Sequence, residues 1–163
     1  MAKSATKEKR SARATAGKSQ ARRKVKAARQ AKPKSNGPRK QTFVANHLSA
    51  DAFEQGLRSY AKYRDLGISK ATNGMVQAHV IKMVPPCLPE VVSKRHYHDV
   101  QFQMIYVLKG WMKGEYQGAG VITMREGTCW LQPPKIKHTV LDYSDDCELL
   151  EIIMPADFDT VEL

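Results

Sequence analysis

The residues best suited to chemistry are His96 and His98. They stand two apart in a stretch that reads as a β-strand, and that spacing turns both imidazoles to one face. Two neutral imidazoles on one face supply half of a metal site. Asp99 follows them and faces the other way. His47, before a helical pattern, and His79, between Ala78 and Val80, read as surface or satisfied core histidines. Cys87, Cys129 and Cys147 form no Cys-x-x-Cys pair and read as packing residues in a reducing compartment. No GxxxxGK[ST], GxGxxG or GxSxG occurs, and no Ser/His/Asp or Cys/His arrangement offers an activated nucleophile.

The elements that must position the histidines follow from periodicity. Ser49 reads as an N-cap, and Phe53, Leu57 and Tyr60 recur at i, i+4, i+7, which predicts a helix over Ala50–Arg64 closed by Gly67. After Gly67 the period becomes two. Strands are predicted over 76–81, 100–108, 111–116, 121–124, 128–132, 138–143 and 147–154. Gln-Gly-Ala-Gly at 117–120, Arg-Glu-Gly at 125–127 and Ser-Asp-Asp at 144–146 mark the turns, and Pro85, Pro86 and Pro89 mark a loop. Many short strands with frequent turns define an all-β sandwich or barrel.

From His96 the chain reads His-Tyr-His-Asp-Val-Gln-Phe-Gln103, six residues, then Gly110; later it reads Gly127, five residues, Pro133, His138 and Asp142. In order and spacing this resembles the two signature motifs of the cupin superfamily, over residues from about 70 to 155, and is most similar to its small single-domain bacterial type. The resemblance implies a cupin jelly-roll barrel over 68–163, after a linker and N-terminal helix at 41–67. It implies one divalent transition metal (Fe, Zn, Mn or Ni) at ligand positions His96, His98, Gln103 and His138, and a homodimer. Three residues depart from the pattern. Gln103 replaces a Glu, Lys135 a Gly and Asp142 an Asn. Lys135 suggests a turn of another shape. With Gln103 as ligand the donor set is neutral, so a divalent ion keeps its full charge, binds less tightly and is a stronger Lewis acid. Two other readings stay open: a three-His site without Gln103, and a metal-free scaffold. By strand parity Asp142 shares the face of His138 and is a candidate catalytic carboxylate, as a base or as a partner that orients an imidazole. Tyr97, Tyr106, Trp111, Tyr116 and Trp130 could line the pocket or fill the core.

Charge divides the 163 residues into two parts. Residues 1–40 hold nine Lys, six Arg and one Glu, a net +14, while residues 41–163 hold 12 basic and 15 acidic residues, a net −3. The first 40 residues lack aromatics, and Val25 is nearly the only bulky apolar side chain after Met1, so they are expected to be a disordered basic tail. Non-specific nucleic-acid binding, an organelle transit peptide, a solvated tail without partner and an untranslated extension all fit that composition. No apolar run is long enough to span a membrane and no secretory h-region is present, so a cytoplasmic protein is expected. The functional expectation is a metal-binding cupin acting on a small oxygenated molecule, dioxygenase-like or isomerase-like. The alternative is a non-catalytic small-molecule binding or sensing cupin whose tail binds polyanions.

Overall fold

A computed structural model of the chain describes residues 40–56 and 58–163; the tail expectation and Leu57 lie outside the described residues. The elements run β1 (Glu54–Gln55), β2 (Ala61–Asp65), α1 (Ile68–Ala71), β3 (Gln77–Met83), α2 (Pro89–Val92), β4 (His96–Asp99), β5 (Phe102–Lys109), β6 (Trp111–Tyr116), β7 (Gly120–Arg125), β8 (Cys129–Leu131), β9 (His138–Tyr143), β10 (Glu148–Met154) and β11 (Asp159–Glu162). They form two antiparallel sheets, ordered β1-β2-β3-β10-β5-β8 and β11-β4-β9-β6-β7. This is the expected all-β barrel. Alternation builds it: on β5, Gln103, Ile105 and Val107 are buried while Tyr106 and Leu108 are exposed. Ile105, Val107 and Leu149 of one sheet join Met112, Tyr116, Met124 and Tyr143 of the other in a single core.

The helix expected over Ala50–Arg64 does not form. Ser49 accepts from Ala52 N in a lone turn. Ala61–Asp65 then pairs with β3 in register, Tyr63 opposite Ile81. Aromatic Tyr63 favours a pleated, half-buried position, and a ladder on an existing strand outweighs a short helical pattern with no face to cover. The Gln55 side-chain amide donates to the Arg58 and Ala61 carbonyls and shapes the link between β1 and β2. The sheet therefore begins at Glu54, well before residue 68.

Lys135 is a second correction. Its φ is +63°, so a lysine holds the left-handed conformation that favours glycine, and the turn keeps that shape. Its N–H donates to the His98 carbonyl at 3.1 Å, tying the turn to β4. Among the cysteines, Cys147 is buried and Cys87 half-buried, but Cys129 is exposed rather than packed; none is paired. No helix among the described residues is long and apolar enough to cross a membrane.

Candidate metal centre

His96 and His98 lie on one face of β4, as their spacing requires, and His96 pairs directly opposite His138 of β9. The three rings meet with centroids 4.3, 5.1 and 5.2 Å apart. Each offers one ligand nitrogen, and these nitrogens all lie within 4.8 Å of one another.

The other nitrogen of each ring is tethered. His96 Nδ1 bonds the Lys94 carbonyl at 2.8 Å and His138 Nδ1 the Ile136 carbonyl at 3.0 Å. His98 Nδ1 meets Thr160 Oγ1 of β11 at 2.9 Å. A carbonyl only accepts, so Nδ1 carries the proton in His96 and His138 and the lone pair falls on Nε2, which in His138 accepts from the Gln132 amide at 3.4 Å. Burial pushes the pKa of His96 and of His98 down to about 4, and lowers that of His138. Three neutral imidazoles, two of them with fixed tautomers, are a donor set that fits a divalent transition metal.

The triad opens on a cavity of about 680 Å³. Beside it lies a polar group that the sequence did not disclose. Glu151 of β10 faces inward between Leu149 and Ile153 and pairs across the sheet with His79 of β3. His79 Nε2 donates to Glu151 Oε2 at 2.6 Å, and the Gln103 side-chain amide donates to Glu151 Oε1 at 2.7 Å. Burial opposes ionisation of Glu151, but the hydrogen bonds from His79 and Gln103 outweigh it and hold the carboxyl below its usual range. Because an ionised carboxylate only accepts, the Gln103 NH₂ must face Glu151, and the Gln103 carbonyl oxygen is turned away from it.

The expected site residues are thus sorted. His96, His98, His138 and Gln103 all line the cavity. Asp142 does not: it is exposed, and its carboxylate accepts from Tyr143 N at 2.9 Å. The shared face with His138 is lost because the β6–β9 register shifts, Gly114 opposing Val140 while Lys113 opposes Asp142. Leu141 is the extra residue of a bulge, and the alternation flips there. Of the five aromatics, Tyr116 and Trp130 line the cavity, with Tyr116 stacked on His138 at 6.0 Å. His79, Glu151, Gln132 and Phe158 are additions. Gln132 is buried with its amide 3.4 Å from His138 Nε2, and Phe158 meets His98 edge-on at 5.5 Å. One signal for Glu151 was present: a charged residue whose neighbours two positions away, Leu149 and Ile153, are both apolar.

Residues 88–153, which hold all three histidines, match the family model described as the cupin domain. Among solved structures the chain is similar to the polyketide cyclase RemF from Streptomyces resistomycificus, with a TM-score of 0.59 and 15% identity over 74% of this chain and 86% of that one. It is also similar to oxalate decarboxylase from Lactobacillus farciminis (TM-score 0.52, 16% identity, 68% of this chain and 33% of that one). A third likeness is to salicylate 1,2-dioxygenase from Pseudoaminobacter salicylatoxidans (TM-score 0.53, 7% identity, 67% and 30%). At these identities the likeness shows the fold. No curated protein matches the sequence.

Proposed function

We propose that the protein is a metal-dependent cupin acting on a small oxygenated molecule, in the manner of a dioxygenase or an isomerase. The observation that carries this reading is the convergence of three tethered, neutral imidazoles on one side of the cavity. His96, His98 and His138 would hold one divalent ion, with the Gln103 carbonyl oxygen as a fourth, neutral donor. When bound, such an ion supplies Lewis acidity that stabilises negative charge on a substrate oxygen. The chain does the rest. Lys94, Ile136 and Thr160 fix the three rings. Glu151 orients Gln103. Tyr116, Trp130 and Phe158 keep the triad's surroundings apolar, so that a charge formed there is poorly screened by water. The likeness to a polyketide cyclase, a decarboxylase and a dioxygenase is in keeping with a barrel whose chemistry is set by its lining.

Metal analysis of protein purified without chelator tests the first half, with about one ion per chain expected. The His96→Ala/His98→Ala double variant should lose it, and retention of wild-type metal content would falsify the assignment. Oxygen uptake or product formation with a panel of diketones and catechols tests the second half. A metal-loaded protein that binds members of the panel without converting them would instead be a sensor.

A further inference from the structure

Among the described residues the fold leaves one buried side-chain nitrogen without a partner, and it belongs to a residue that lines the cavity. Arg58 stands in the link between β1 and β2. Its Nη1 donates to Glu162 Oε1 of β11. Its Nη2 is buried and meets no acceptor, and the side chain is only 13% exposed. Burying a charged donor unpaired is costly, so an acceptor brought by a ligand would recover that cost. A guanidinium presents parallel N–H groups that match the two oxygens of a carboxylate. Here one arm rests on Glu162, a carboxylate 55% exposed at the surface, and the other is buried and unpaired, so a ligand reaches it only as the side chain turns toward the cavity.

The charges in the cavity lining are mixed: Glu54, Asp65 and Glu151 stand there beside Arg58. An imidazole that binds a metal through one nitrogen does so as the neutral ring. Gln103 is neutral. The Glu151 carboxylate already takes hydrogen bonds from His79 and Gln103. A divalent ion at the triad would therefore keep its charge, with the Arg58 cation in the same cavity lining. Between such an ion and Arg58, away from those carboxylates, an anion would be favoured.

We infer that Arg58 selects a carboxylate-bearing substrate, with a carboxylate oxygen on Nη2 and another oxygen of the same molecule toward His96, His98 and His138. The second contact rests on the metal reading proposed above; the first rests on Arg58 alone.

The test uses the full chain and a series of diacids, malonate, succinate and glutarate, with their diamides as neutral controls. Binding is followed by calorimetry with and without cobalt(II), and by the visible absorption of the cobalt protein. At least one diacid should bind wild type about tenfold or more tightly than its diamide and perturb the cobalt spectrum, with Arg58→Gln losing that margin. Glu162→Gln removes the charge of the same ion pair while leaving an amide oxygen for Nη1, so it should keep or tighten diacid binding. Azide, a probe of the ion alone, should bind all three cobalt proteins equally. Equal diacid binding by wild type and Arg58→Gln overturns the inference, as does no diacid binding by wild type. Equal loss in Glu162→Gln would make the ion pair structural and also overturns it. Diacid binding that leaves the cobalt spectrum unmoved would place the anion in the adjoining cavity of about 160 Å³ lined by Arg58, Lys94 and Glu162, and would overturn the assignment to this site. If the chain takes up no cobalt, the metal reading fails, and the calorimetry of metal-free wild type and Arg58→Gln still decides the role of Arg58.

Discussion

Gln103 and Glu151 touch at 2.7 Å, one an amide and the other a carboxylate, and which of them stands on β5 sets the charge presented to the triad. Changing Gln103 to Glu alone would put two carboxylates at hydrogen-bond distance, and such a pair retains a shared proton. Little negative charge would then be added. The exchange Gln103→Glu/Glu151→Gln keeps the hydrogen bond and moves the charge. It should slow metal stripping in chelator competition more than Gln103→Glu does, and equal stripping of the exchanged and wild-type proteins would place residue 103 outside the metal's reach. The histidines give a second outcome. His96 and His98 have folded pKa values of about 4 against an ordinary 6.5, so between these limits the unfolded chain binds more protons. The metal-free protein should lose stability as pH falls from 6.5 toward 4. Glu151, with its pKa lowered from 4.5, adds to the loss only below that value. A melting temperature flat from pH 7 to 4.5 in metal-free protein would contradict this. The three histidines were legible in the sequence because strand parity and motif spacing are local. The partnership of His79 with Glu151 was not, because it spans 72 residues and depends on which strands become neighbours.

At the scale of elements, the strands from β3 to β10 were legible, since alternation and turn residues agree over each. Two places were not. The segment Ala50–Arg64 carries an apolar helical spacing, yet its conformation is decided by the open edge of β3, which no local pattern reports. The bulge at Leu141 is equally silent, and it alone moves Asp142 from the cavity to the surface. Asp142→Asn should accordingly leave metal content and diacid binding at wild-type levels; a loss of either would mean that the carboxylate acts on the site after all. The β5–β6 corner is stricter. Gly110 has φ +69°, and a Cβ there would lie 2.2 Å from Ser144 Oγ and 3.2 Å from the Cys147 backbone. Ser144 Oγ in turn accepts from Trp111 N, so it has little room to yield. Gly110→Ala should cost about 1–3 kcal/mol in urea denaturation. A cost near zero would show that the corner relaxes freely.

For the whole molecule the division of charge is the governing fact: +14 in residues 1–40 and −3 in the remainder. A chain lacking residues 1–40 should melt at the wild-type temperature and lose any binding to DNA, while full-length binding should weaken steeply with salt. A large drop in melting temperature, or salt-insensitive binding kept by the truncated chain, would assign those residues or the barrel a different part. The homodimer stays a proposal that light scattering on both chains can test. The cavity, meanwhile, is assembled from distant parts of the chain: Arg58 precedes the triad, whereas Phe158 and Thr160, and the Glu162 that engages Arg58, follow it. Synthesis runs from the N-terminus, so all three histidines leave the ribosome before the hydroxyl that steers His98 or the carboxylate that engages Arg58. An ion captured by the emerging chain would meet a histidine still free to turn. The final arrangement of the three rings is therefore a late event of biogenesis, closed by the strand that enters the sheet from the downstream side.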